Sequence, residues 1–453
     1  MAVTPALTRH NAEDGEPEAK RRTYPWKSNR GRADVISKQW WIVLRYLRRL
    51  WVRATLYCLV GIGVALAAIL ADPYMPSELP RKVGADAVDS ILSIIASSML
   101  AVTTFSMTTL VSATNAASSN TTPRATSLLL EDSTSQRALS TFLGSFLFSL
   151  VGLIALNTEL YGAGGRFILF IATLGVVAVI VVTLLQWIDH LAGLGRVGET
   201  ISRVEEVATR GYRAHRAAPF LGCSPHDREI PSGAIDIQHD HVGYLQHLDV
   251  KALSAVAEDA EADIYVQRRP GALCDPVTPI AALVLRDPSA TYDPALTQRI
   301  RDAFTLGERR SFDQDPRFGL IALSEIGSRA LSPGVNDPGT AIDVLATLVR
   351  VLVPGPEKDQ AEVREVTYRH VHLPPLREDD LIYAAFMPIS RDGAGIIEVA
   401  IRLQKALATV AAAAHPDLRP AARRLAKIAR KRALQNLDFE PDRERLLSTT
   451  TPV

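Results

Sequence analysis

Between Asp89 and Arg124 the chain carries no charged residue at all, and that run is one of four apolar segments crowded into its first two-fifths. The segments, 54–71, 91–111, 139–156 and 167–188, each approach the ~20 residues a helix needs to cross hydrocarbon. A backbone in lipid must satisfy its own polar groups, so four transmembrane helices are the expected result. Each has a plausible exit: Asp72-Pro73, Thr121-Thr122-Pro123, Tyr161-Gly162 through Gly165, and Trp187 with Asp189.

After Asp189 charges recur every few positions to the end of the chain. An apolar section fused to an ordinary soluble one accounts for 47% hydrophobic residues beside 22% charged ones. The fold class expected is an α-helical membrane protein whose four transmembrane helices precede a cytoplasmic α+β domain, a small antiparallel strand unit followed by a helical part. Residues 1–39, which contain no apolar core of a signal peptide, read as disordered. An interfacial helix and the membrane bundle take 40–189, a stalk helix and linker 190–232, the β-rich unit 233–290, the helical unit 291–435, and a disordered tail 436–453.

Orientation follows from the arginines, because positive charge is retained on the cytoplasmic side. Arg45, Arg48, Arg49 and Arg53 precede the first segment, interleaved with Trp40, Trp41, Tyr46 and Trp51, the pattern of an amphipathic helix resting on anionic headgroups. An even number of crossings then leaves both termini in the cytoplasm, with the chain in a bacterial inner (plasma) membrane.

The second segment is unlike the others. At 100° per residue, Ser90, Ser93, Ser97, Thr104, Thr108 and Asn115 fall in a stripe about 60° wide. Such a face must avoid lipid, and two readings compete for it. Small hydroxyl residues let helices approach closely and return hydrogen bonds to backbone carbonyls; alternatively, stripes from several subunits line a watery route. No acidic or basic residue lies within the segment, which argues against a charge-coupled pump.

In the soluble section, Leu191, Leu194, Val197, Ile201, Val204 and Val207 continue a helical spacing beyond the fourth segment as a stalk. Short strands are expected at 234–237, 243–245, 263–267 and 279–285, interrupted by a helix over 250–260, with Pro270-Gly271 as a turn. His239, His241, His247, His370 and His372 lack a completing cysteine or carboxylate, so no metal is expected. Cys58, Cys223 and Cys274 match no redox or ligand spacing and read as isolated thiols.

Asp315-Pro316 and Asp337-Pro338 each offer a carboxylate N-cap followed by proline at the first helical position. Two helices joined by Ser332-Pro333-Gly334-Val335-Asn336 should therefore pack as a hairpin. A helix start with Arg309, Arg310, Arg317 and Arg329 near in sequence could hold an anion, which makes Arg317, Arg329, Ser332, Asn336 and Asp337 a candidate ligand loop; the Asp337 cap would repel the same anion, so a structural role competes. The basic run from 418 to 445 leans on a membrane surface, on an acidic partner, or is a solvated helix.

Three stretches resemble a bacterial predicted-membrane-protein family, domain of unknown function 2254. They are Ile94 to Met99 running through Phe105-Ser106 to Ala117-Ser118-Ser119 and Pro123-Arg124; Asp313-Gln314-Asp315 with Phe318-Gly319-Leu320; and Arg329 through Pro338 with Thr340-Ala341. The resemblance spans about residues 40 to 430 and implies the same order of parts.

With a net charge of +1, no broad surface for nucleic acid is expected. No Ser-His-Asp spacing, phosphate-binding glycine loop, HExxH or paired-cysteine motif occurs, so neither catalysis nor a cofactor is expected. The leading expectation is a homo-oligomeric channel or permeation protein with a cytoplasmic domain that senses a protein or small ligand. The alternative is a non-conducting scaffold that recruits cytoplasmic partners.

Overall fold

The computed structural model describes residues 50–70, 85–120, 122–130, 133–158, 163–193, 195–226, 229–353 and 366–449. The expected disordered N-terminus and interfacial helix at 40–49 lie outside the described residues, as do the loops at 71–84 and 159–162.

The membrane section is built from α1 (Leu50–Leu70), α2 (Ala85–Asn120), α3 (Pro123–Leu130), α4 (Ser133–Asn157) and α5 (Ala163–Gly193). Among the described residues, three helices are long and apolar enough to cross a membrane: 87–116, 134–157 and 164–193. The described apolar part of α1 is shorter, Ala54–Val64. Helix α4 is the centre of the bundle, with α1, α2 and α5 all packed on it. Its small residues set the spacing. A Cβ on Gly61 of α1 would lie 2.8 Å from the Gly144 carbonyl oxygen, and one on Gly144 3.1 Å from that of Tyr57. Close backbone approach of this kind holds helices together where lipid supplies no hydrophobic drive. Outward-facing Leu59, Val60, Ile94, Leu100, Val181, Val182, Leu185 and Ile188 remain exposed and form the apolar exterior.

The stalk does not run on from α5 as its spacing implied. Gly195, at φ +83°, breaks the helix before α6 (Val197–Ala217) begins. The buried face of α6, Ile201, Val204, Ala208 and Tyr212, then joins the largest core of the protein.

The β-rich unit contains β1 (Cys223–Pro225), β2 (Ile235–Gln238), β3 (Gly243–Leu248), α7 (Val250–Asp259), β4 (Ala262–Val266), β5 (Leu273–Cys274), β6 (Pro279–Leu285), α8 (Ala295–Asp302) and β7 (Phe304–Gly307). An antiparallel unit was the expectation, and the structure corrects it. The five-stranded sheet has the order β1-β8-β4-β6-β2, in which β8 (Tyr368–Leu373) lies parallel to both β1 and β4. A three-stranded antiparallel sheet, β5-β3-β7, stands beside it. Strand β8 comes from far along the chain because Val371 and Leu373 alternate with half-buried histidines, a half-buried strand pattern that local reading cannot assign to a partner.

The helical unit follows: α9 (Pro316–Ala330), α10 (Pro338–Leu352), α11 (Glu378–Asp392), α12 (Ile397–Ala413), α13 (Arg419–Asn436) and α14 (Glu440–Ser448). Both Asp-Pro starts are as expected: Asp315 caps the Arg317 amide at 3.1 Å and Asp337 caps the Thr340 amide at 3.0 Å. Residues 440–448, expected within a disordered tail, instead form α14. Leu446 is the reason, because it buries completely against Ile397, Ala400, Ala433 and Leu437.

Candidate functional site

The face of α2 that packs on its own bundle consists of Val88, Leu92, Ile95, Met99, Ser106 and Leu110, all buried. Ser90, Ser93, Ser97, Thr104, Thr108 and Asn115 are all exposed. At 100° per residue the centres of the two sets lie about 160° apart, so the hydroxyl stripe is on the side turned away from the rest of the described residues. Most of its hydroxyls donate to the helix itself: Ser97 to the Ser93 carbonyl at 3.0 Å, Thr104 to Leu100 at 3.0 Å, and Thr108 to Thr104 at 3.0 Å. Their hydrogens are thereby used and their oxygen lone pairs are left pointing outward.

Helix α2 is 36 residues long, or about 54 Å, against a hydrocarbon layer of about 30 Å. Where the start of α4 meets the end of α5, Ser135 and His190 approach to 3.2 Å. Further along, Ala113 of α2 lies against Gly195 in the α5–α6 turn. All six stripe residues lie in the 87–116 stretch that is long and apolar enough to cross a membrane.

The candidate ligand loop divides. Arg317 stands at the first turn of α9, whereas Arg329, Ser332, Asn336 and Asp337 lie at its far end, about 20 Å away along a 15-residue helix. The loop is closed on itself. Asn336 adopts φ +49°, its amide and that of Val335 bond the Ser332 carbonyl, and the Asp337 amide bonds that of Ala330 at 2.8 Å. Asp337 accepts from the Thr340 hydroxyl at 2.6 Å, and this bond, with the Thr340 amide, holds its carboxyl below the ordinary carboxylate value. Arg317 and the Asp337 loop make no common site.

Arg317 belongs to a different cluster, which joins the two soluble units. Asp315, its side chain 1% exposed, takes Arg310 through Nε at 2.8 Å and through Nη2, with Arg317 Nε at 3.6 Å. Arg310 also lies over the Phe318 ring, 5.2 Å from its centroid. Beside them Arg269, which sequence reasoning missed, is half-buried and donates to the Pro374 and Pro219 carbonyls at 2.5 and 2.8 Å. Burial and the neighbouring Arg317 push Arg269 down to about 10. Gln314 accepts from the Leu248 amide at 2.9 Å and so ends β3. Gly319 lets α9 cross the stalk, since a Cβ there would lie 2.6 Å from Ala208 Cα. The Asp313–Leu320 stretch therefore reads as a joint.

A second cluster lies on the outer face of the five-stranded sheet. His370 Nδ1 and His372 Nε2 approach the same Asp263 oxygen at 3.0 and 3.5 Å, and the His372 ring stacks on Tyr265 with centroids 4.4 Å apart. A carboxylate does accompany these histidines, then, supplied by a strand more than a hundred residues earlier in the chain. Among the described residues, no group of three histidine, cysteine or acidic side chains has the geometry to hold a metal ion. Cys58, Cys223 and Cys274 are free and buried, and burial pushes the Cys274 thiol up to about 11.

A bundle of apolar helices with an exposed apolar exterior, carrying an α+β domain on a short stalk, defines a helical membrane protein. The model of the predicted membrane protein family DUF2254 matches residues 48–409, and the chain belongs to that family. It is 28% identical over 329 residues to the uncharacterized proteins MT1328 and Rv1290c of two Mycobacterium tuberculosis strains and to Mb1321c of Mycobacterium bovis. The match takes in 68% of this chain and 61% of each relative, so the chain spans about three-fifths of their length. No solved structure matches it.

Proposed function

We propose that this protein is a homo-oligomeric permeation protein of the bacterial plasma membrane, with four crossings, both termini cytoplasmic, and α2 helices from several subunits facing one another. One observation carries the reading: the hydroxyl stripe of α2 is directed away from its own bundle, where in a lone subunit it would meet acyl chains. Facing copies shelter it. Because the hydroxyl hydrogens are committed to backbone carbonyls, the surface offered to the axis is rich in oxygen lone pairs, which favours water or a cation over an anion.

The same bonds favour a second reading, in which the stripe is a dry contact between copies and the protein is a non-conducting scaffold for cytoplasmic partners. A hydroxyl that already bonds its own helix needs no water. Flux of monovalent cations into liposomes holding the wild type, Ser97→Leu and Thr104→Leu separates the two. Permeation requires flux in the wild type that both leucines abolish; equal flux in all three overturns it. Crosslinking through Ser97→Cys reports whether the stripes meet in either case. No catalytic role is proposed.

A further inference from the structure

The six helices of the helical unit alternate in direction, and their contacts with the stalk and with one another fix which end faces the membrane. Helix α9 runs antiparallel to the stalk: its start, Pro316, lies beside Gly211, Gly319 crosses Ala208, and Glu325 pairs with Arg124 of α3. Its end therefore reaches the level at which α6 begins. Helix α11 runs alongside it, with Asp380 4.0 Å from Arg317 at one end and Asp392 bonded to Ser328 at the other. Helix α13 does the same, with Arg424 on Asp379 at 2.5 Å, Arg432 on Ser390 at 3.4 Å, and the Asn436 carbonyl against Gly395. The connections 331–337, 393–396 and 437–439 accordingly share one end of the unit, the end where the chain leaves the bilayer.

Two large apolar side chains stand out from that end. Phe439 is 64% exposed and Val335 is 44% exposed. Val197, the first residue of the stalk, follows His190 by seven positions, through the last turn of α5 and the turn closed by the Arg196 amide on the Gly193 carbonyl at 3.4 Å, a separation of at most about 15 Å, and the headgroup layer is itself about 5–8 Å deep. The end of the unit is thus within reach of the interface. We infer that the loops 331–337 and 437–439 rest on the lipid bilayer that the chain's own helices cross, with Phe439 and Val335 seated at headgroup depth.

The occupant is lipid because the surface is continuous with the section already in the membrane. Its charge gives no sign of an anionic-lipid site. Arg329, Arg391 and Arg443 are matched at that end by Asp392, Asp438, Glu440 and Asp442, so attachment is apolar and independent of acidic headgroups. The closed conformation of the Ser332–Thr340 loop then has a purpose: it holds Val335 outward on a rigid turn.

The test uses the full chain in phosphatidylcholine vesicles, with and without phosphatidylglycerol. An environment-sensitive fluorophore is placed at Phe439→Cys, Val335→Cys or Val277→Cys after alanine replacement of the three native cysteines. Val277, 83% exposed on the β-rich unit, is the control. Labels at 439 and 335 should be blue-shifted and quenched several-fold more by lipid-borne nitroxide than by aqueous iodide. The label at 277 should show the reverse order, with phosphatidylglycerol making no difference. Iodide quenching at 439 and 335 like that at 277 overturns the inference, and so does shielding from both quenchers, which would mark a protein contact. Hydroxyl-radical footprinting of the unsubstituted chain in the same vesicles repeats the comparison without replacing cysteines. Phe439 should be protected relative to exposed Tyr383; equal oxidation refutes the placement.

Discussion

Asp315 and Asp337 occupy the same position in the same local code, a carboxylate before proline at a helix start, yet they do different work. Asp315 is sealed beneath Arg310 and Arg317, with Gly271 of the β-rich unit pressed against its carboxylate. Asp337 sits on an exposed turn and serves only its own helix and Thr340. Capping is local and needs four residues; sealing requires two other parts of the chain to arrive. A motif's cost of loss is decided by what closes over it, since a buried ion pair broken on one side leaves a desolvated charge behind.

The sharpest way to break this contrast is at the glycines. Gly271 holds φ +90°, and a Cβ there would overlap the Asp315 carboxylate. Gly271→Ala should cost about 5 kcal/mol, combining backbone strain, overpacking and a displaced ion pair, and should leave little folded protein by near-ultraviolet circular dichroism. Asp315→Ala comes next. With Arg310 uncompensated it should lose about 3 kcal/mol or more in chemical denaturation of the detergent-solubilised protein.

Asp337→Ala should lose only about 1 kcal/mol, the ordinary value of an N-cap. Its pH dependence sharpens the point. The folded-state carboxyl of Asp337 lies below its unfolded value, so its stabilisation is complete above the unfolded value of about 4 and disappears as pH falls through the folded one. The difference in melting temperature between wild type and Asp337→Ala should therefore narrow as pH drops below about 4. The smallest effect belongs to Gly334→Ala in the same loop. No atom lies within 4 Å of the added Cβ, and stability should stay within about 0.5 kcal/mol. A loss near that of Gly271→Ala would erase the distinction between the two regions.

Much of the molecule was legible residue by residue. Apolar runs locate the membrane helices, Asp-Pro pairs locate two helix starts, and most strands between 234 and 285 follow from alternation. Arg269 and Asp263 were not legible as site residues, because their partners are brought in by the linker after the stalk and by β8. The stalk break at Gly195 was missed because the apolar spacing continues through it while one glycine changes the backbone. The order around residue 446 was missed because a short, charged helix gains its stability from the pocket it fills.

What the sequence alone determined is where apolar surface lies and where helices begin, since hydropathy and capping act over a few neighbouring residues. Only the tertiary structure decided which faces are covered. The hydroxyl stripe of α2 points away from its bundle, Asp315 is buried, and Asp337 is open, because those outcomes depend on which distant segments pack over each position.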